Sequence, residues 1–156
     1  MSIAILTICI LLQSIPNVAQ ASYEGIVAVG KHECIWGGFE ITQQEYELLC
    51  RTVYCEAGNQ DIETQQMVAL TILNRLQSGK FADTISGVVY AKGAYAVTNW
   101  SEFEDKVWTE DAQKAVNCAL QENKHPEDMY YFRTRHYHKF GENYIQSGDL
   151  YFSTEN

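Results

Sequence analysis

Three places in the sequence put chemically versatile side chains together. Glu56 sits in the run Tyr54-Cys55-Glu56-Ala57-Gly58, and further carboxylates follow at Asp61, Glu63, Asp83 and Glu102. A carboxylic acid held protonated near neutral pH can deliver a proton to a leaving oxygen. His136-Tyr137-His138 spaces two imidazoles so that they share one face of a strand, which suits a metal ion. No third ligand is evident, because His32 and His125 lie in unrelated contexts, and neither a metal nor another cofactor is expected. Cys55 beside Glu56 invites a Cys-His arrangement, yet nothing orients a base toward the thiol.

The elements that must position Glu56 are legible. Thr42-Gln43-Gln44-Glu45 is a capping box, in which hydroxyl and carboxylate satisfy each other's orphan amides. Tyr46, Leu49, Cys50, Val53 and Ala57 then recur at helical spacing, and Gly58 is a natural stop. Glu56 thus falls in the last turn, against the negative end of the helix dipole, which disfavours ionisation. Shielding by Tyr54 and a neighbouring helix would raise its pKa further. The plain alternative is a solvated glutamate at a helix end, and the residues alone leave both readings open.

A second helix is expected at about residues 62–76. Its Met67-Val68-Ala69-Leu70-Thr71-Ile72-Leu73 stretch is apolar almost all round, as for a central, buried helix ended by Gly79. Asp83-Thr84-Ile85 starts a short helix or turn ending near Tyr90. Another helix begins at Thr109, with Glu110 and Asp111 in its first turn and Ala112, Ala115, Val116 and Ala119 on its inner face. Past Pro126 the pattern becomes aromatic and β-prone at Met129-Tyr130-Tyr131-Phe132 and Asp149-Leu150-Tyr151-Phe152, with Gly141 and Gly148 as turn residues. The expected class is α+β, mostly helical, closed by two or three antiparallel strands.

The N-terminus reads as an export signal. An apolar run from Ile3 to Leu12 precedes Ala19-Gln20-Ala21, a small-x-small site, so residues 1–21 are read as a signal peptide although no Lys or Arg precedes the run. The alternative is a buried N-terminal helix. The run is short of the about 20 apolar residues that span a bilayer, so no stable membrane span is expected in a mature, secreted form. Residues 22–40 are read as an N-terminal extension and 41–156 as one catalytic domain, expected to act as a monomer. Cys34, Cys50, Cys55 and Cys118 remain after the signal. Cys50 and Cys55 on one helix would stand roughly 8 Å apart at about 1.5 Å per residue, too far to bond to each other. Each could pair with Cys34 or Cys118, or stay a free thiol. The net charge of −9 argues against a nucleic-acid partner.

The stretch from Cys50 to Arg75 resembles the spore-cortex-lytic, SleB/CwlJ-type cell-wall hydrolases. These carry a Glu-Ala pair at a helix end, a Glu-x-Gln further on, and an Ile-Leu-Asn-Arg closing the central helix. Here these read Glu56-Ala57, Glu63-Thr64-Gln65 and Ile72-Leu73-Asn74-Arg75. The likeness continues through Phe81, Ile85 and Gly87-Val88-Val89-Tyr90. Tyr95 stands where the family has an aromatic residue, and Tyr130-Tyr131-Phe132 and Tyr151-Phe152 match its closing aromatic segments. The resemblance implies a lysozyme-like cleft between helices and a small sheet. It also implies cleavage of the muramic acid to N-acetylglucosamine β-1,4 bond of peptidoglycan in the cell wall or spore cortex, with Glu56 as general acid.

Where the family often reads Glu-Ala-Arg-Gly-Glu, this chain has Glu56-Ala57-Gly58-Asn59-Gln60, so the position of Gln60 cannot supply an essential acid or base. No separate peptidoglycan-binding domain of the kind some members carry is expected before Thr42. Hydrolysis normally uses two carboxylates. With one, the muramyl 6-hydroxyl can attack its own C1, giving the 1,6-anhydro end of a lytic transglycosylase, which is the favoured expectation. Gln65 and Asn74, on the central helix, are expected to hold Glu56 or a sugar N-acetyl group, or else a loop backbone, because buried amides need partners. Tyr95, Tyr131 and, less favoured, Trp100 are candidates for stacking on sugar rings. Glycan strands are the expected partner, and an acidic chain would have to bind this anionic wall through uncharged contacts. A hydrolase with a second carboxylate, a zinc-dependent amidase using the histidine pair, and a non-catalytic wall-binding module are the competing readings.

Overall fold

The computed structural model describes residues 33–139 and 141–155. The expected signal peptide and residues 22–32 of the expected extension lie outside the described residues, as do the side chains of residues 33–35. Strands β1 (Glu33–Trp36) and β2 (Phe39–Thr42) form an antiparallel hairpin. Gly37 and Gly38 turn it with φ of +55° and +87°, the positive pair that a two-residue turn between right-twisted strands requires. This hairpin is absent from the expectations above. Its signal was present, a Gly-Gly pair between Ile35-Trp36 and Phe39-Glu40-Ile41.

Helix α1 (Gln43–Ala57) begins at the capping box: the Glu45 amide donates to the Thr42 hydroxyl at 3.3 Å, and the Thr42 amide donates to the Glu45 carboxylate at 3.3 Å. The second Glu45 oxygen accepts the Ile85 amide at 3.1 Å. One carboxylate therefore starts α1 and fastens it to the beginning of α3 (Ile85–Val89). Helix α2 (Ile62–Gln77) is capped by Asp61, which accepts the Thr64 amide at 2.8 Å. Residues Met67 to Leu73 are all buried, as the unbroken apolar run demands. Truncating Leu70 or Leu73 to Ala would cost about 2–5 kcal/mol through lost burial and the cavity left behind. Helix α4 (Glu110–Gln121) lays its alanine-rich face on α1 and α2.

The second sheet contains β3 (Met129–Thr134), β4 (Glu142–Ser147) and β5 (Leu150–Thr154), antiparallel in the order β3-β5-β4. Met129, Leu150 and Phe152 are buried and seat the sheet on the helical core. Two polar straps hold it in place. Thr64 and Ser147 hydroxyls share a hydrogen bond, and the Gln60 amide group spans the β4–β5 turn, accepting from the Asp149 amide at 3.0 Å and donating to its carboxylate at 3.1 Å. Among the described residues no helix is long and apolar enough to cross a membrane. Cys50, Cys55 and Cys118 are free thiols. Burial pushes the Cys50 thiol up to about 12, which makes it an inert core group rather than a bridge former.

Candidate active site

A cleft of about 600 Å³ opens between the helices and the C-terminal sheet. Tyr131, Phe132, Arg133 and Thr134 of β3, with His138 beyond it, form one wall. Residues 91–96 form the other, and Glu56 at the end of α1 faces the space between them. Glu56 is half-buried, and its Oε1 is fully buried without a hydrogen-bond partner. Burial raises its pKa above the ordinary carboxylate value, opposed by the Val97 backbone amide. That amide belongs to a 3-10 turn over Ala96–Asn99, which closes over the end of α1. The solvated alternative therefore fails: this carboxyl is desolvated, aimed at a cleft and inclined to keep its proton.

Tyr95 lies behind it, 3% exposed, with a buried hydroxyl that has no hydrogen-bond partner. Burial pushes this hydroxyl up to about 12, with Arg75 acting to lower it and Glu56 to raise it, so it remains a proton donor at neutral pH. Its ring lies 6.1 Å from that of Phe132, tilted by 39°. The Arg75 guanidinium is seated over three rings at 5.2 Å (Tyr95), 5.3 Å (Phe81) and 5.9 Å (Tyr131), while its Nε donates to the Tyr130 carbonyl at 2.8 Å. Such cation–π contacts fix the side chain without neutralising it. Tyr131, one of the sugar-stacking candidates, lines the cleft. Tyr95 also lines it, but its ring is packed into the core.

Other expectations are corrected. Gln65 and Asn74 do not reach the cleft: they are 2% and 1% exposed and serve backbone. Gln65 donates to the Gln60 carbonyl at 2.9 Å. Asn74 donates to the Pro126 carbonyl at 2.9 Å and the Met129 carbonyl at 3.3 Å, and accepts from Asn123 at 3.3 Å. Asn74 and Arg75 together suture α2 to the segment that enters β3, so the Asn-Arg pair sets the wall opposite Glu56. Trp100 is 50% exposed and lines a separate depression with Tyr54, Cys55 and Lys106. The cysteine reading fails with it, since Cys55 faces that depression, away from His138, and burial raises its pKa. His136 and His138 follow the end of β3 instead of sharing a strand face. His138 packs on Tyr131 at 5.7 Å, and burial lowers its pKa first, with Arg133 and Arg75 adding to the effect. Among the described residues no three potential ligands converge. Asp61, Glu63, Asp83 and Glu102 are exposed and line no part of the cleft.

Three contributors escaped the sequence reading. Val97, Lys92 and Arg133 carry no local sequence signal that singles them out. Only the chain path brings the Val97 amide to Glu56 and puts Lys92 and Arg133 in the lining of the same cleft.

With this geometry in view, comparison with known proteins is decisive. The profile of the Cell Wall Hydrolase family matches residues 59–153. The chain belongs to this family. The match begins three residues after Glu56, so membership rests on the central helix and the sheet. A spore cortex-lytic enzyme of Oceanobacillus iheyensis is 35% identical over 79 residues, 51% of this chain and 27% of that protein. The chain thus corresponds to about a quarter of that relative's length. The catalytic domain of the Bacillus cereus SleB protein superposes with a TM-score of 0.66 at 24% identity, covering 77% of this chain and 95% of that domain. The catalytic domain of the germination-specific lytic transglycosylase SleB from Bacillus anthracis gives 0.64 at 24% identity, covering 72% and 96%. The α+β fold of this cell wall hydrolase is therefore that of the SleB catalytic domain.

Proposed function

We propose that this chain cleaves the glycan strand of peptidoglycan at the muramic acid to N-acetylglucosamine β-1,4 bond, as a lytic transglycosylase. The observation that carries this reading is a single desolvated carboxyl in the cleft, with no second carboxylate lining it among the described residues. Protonated Glu56 gives its proton to the glycosidic oxygen as the bond to muramyl C1 breaks, and the N-acetylglucosamine leaves with a free 4-hydroxyl. The muramyl 6-hydroxyl then attacks C1, and the Glu56 carboxylate takes the proton that this hydroxyl loses. One proton goes out and one returns, no water is consumed, and a 1,6-anhydro ring results. Tyr131 would lie against a sugar ring, and the Tyr95 hydroxyl would supply a hydrogen bond to the substrate or to Glu56.

The family, the fold shared with SleB catalytic domains and the name of the Bacillus anthracis neighbour support this reading. The substrate lies outside the cytoplasm, in wall or cortex, which agrees with export through residues 1–21. Digestion of purified peptidoglycan followed by mass spectrometry of the released fragments tests it. Fragments ending in 1,6-anhydromuramic acid, lighter by one water than hydrolytic ones, are expected. Reducing muramic ends would show hydrolysis instead, and intact strands with severed stems would show an amidase.

A further inference from the structure

Two polar atoms beside the cleft are buried and unserved. Glu56 Oε1 and the Tyr95 hydroxyl are each closed off from solvent and each lack a hydrogen-bond partner, although both residues line the cleft. Folded proteins keep few such groups, because a buried polar atom without a partner is costly. The surroundings leave the Tyr95 hydroxyl one acceptor. Its ring is packed in the core, against Phe132 and under the Arg75 guanidinium. Two charged groups act on the hydroxyl, Arg75 and Glu56. Arginine offers donors only, so of these two Glu56 alone can accept the phenolic hydrogen. Solvent touches neither buried atom, so a sugar oxygen has no path to either.

Tyr95 is also held in place. It opens the 3-10 turn over Ala96–Asn99, where the Thr98 hydroxyl donates to the Tyr95 carbonyl at 2.8 Å and the Trp100 amide to the Val97 carbonyl at 3.0 Å. The same turn supplies the Val97 amide that favours ionised Glu56. While Glu56 keeps its proton, the hydroxyl faces a neutral carboxyl and the bond is unmade. Once the proton has gone to the leaving oxygen, the carboxylate is a far stronger acceptor. The terminal torsion of a glutamate is soft enough to turn Oε1 onto the hydroxyl. An ion pair with Arg75 would hold Glu56 ionised throughout and disarm the acid, but Arg75 is seated over rings instead. A neutral donor steadies the carboxylate and leaves it basic enough to take a proton back.

We propose that Tyr95 is a positioning residue for Glu56: its hydroxyl donates to Oε1 of the ionised carboxylate and holds that carboxylate for the return of the proton. The other carboxylate oxygen is left to serve the sugar. This rests on the glycan-cleavage reading and assigns the group that steadies its acid between the two proton transfers. Tyr95→Phe removes the hydroxyl and keeps the ring. Carbon NMR of the labelled Glu56 carboxyl, with no substrate present, should show it titrating about one pH unit higher in the variant. The sign follows because losing a donor to the charged form disfavours that form. The alkaline limb of kcat on soluble glycan fragments should move up with it. At the optimum kcat should fall about tenfold with KM unchanged, the same free energy read as a rate. At low pH, where Glu56 is protonated and the hydroxyl unserved, the melting temperature should hold or rise. An unchanged Glu56 titration overturns the proposal. A raised KM with the alkaline limb in place also overturns it, by putting the hydroxyl on the sugar. A variant that is destabilised at low pH or fails to fold does the same, by making the hydroxyl structural. If the parent protein releases no fragments, the glycan-cleavage reading falls, while the titration still decides whether Tyr95 serves Glu56.

Discussion

Glu56 and Asp61 stand five residues apart on either side of one turn, and the two environments push the same functional group in opposite directions. Glu56 ends α1, its Oε1 buried without a partner, and burial raises its pKa. Asp61 begins α2, exposed, and the Thr64 amide and hydroxyl hold its pKa below the ordinary aspartate value. One carboxyl is inclined to keep its proton, and the other is kept ionised as a helix cap. Between them Gln60 turns away to clasp Asp149. A helix C-terminus roofed by a 3-10 turn makes an acid, and a helix N-terminus in water makes a structural anion.

The contrast breaks most visibly at Glu56. Glu56→Gln keeps shape but cannot exchange a proton, so cleavage should fall about 10²–10⁴-fold with the fold intact, measured as fragment release from purified peptidoglycan. Near-full activity would sink the assignment. The same side chain sets a pH dependence of stability. Because its folded pKa is raised, the folded state holds more protons than the unfolded state above the ordinary glutamate pKa. Its contribution to stability is therefore present at low pH and is lost as pH rises through the folded value. Melting curves across pH should show this decline in the parent and a flatter profile in Glu56→Gln.

Asn74→Ala is the next largest effect. It takes the Asn74 donor from the Met129 carbonyl and from the Pro126 carbonyl, which keeps the Met129 amide, and should cost about 1–3 kcal/mol in denaturant unfolding. Activity per folded molecule should persist at low temperature; a raised KM with unchanged stability would instead place Asn74 on the sugar. Asp61→Ala should cost about 1 kcal/mol with little change in turnover. The contribution of Asp61 is present above the ordinary aspartate pKa and lost as pH falls through its depressed folded value, opposite in sign to Glu56. Gln60→Glu brings a like charge to Asp149 and should cost no more than about 1 kcal/mol, diminishing as salt screens it.

Much of the local structure was legible because its determinants lie within a few residues of one another. The capping box started α1 at Gln43, and the apolar run made α2 the central helix. Thr109 began α4, and the aromatic segments became β3 and β5. The β1–β2 hairpin was missed because its strands are only four residues long and its Gly-Gly signal was passed over. Gln65 and Asn74 were rightly read as buried amides needing partners, but burial alone does not say which partner. The partners of Asn74 are carbonyls more than 50 positions away.

The sequence by itself determined the helices, the closing strands and the position of Glu56 in a last helical turn. These follow from caps, periodicity and turn residues acting over one or two turns of chain. Only the tertiary structure decided that Glu56 is desolvated and that the other candidate carboxylates stay outside the cleft. It also decided that Arg75, Lys92 and Arg133 line the cleft of an acidic protein. Desolvation and local charge depend on which distant segments meet, and the packing of α2 against the sheet settles that.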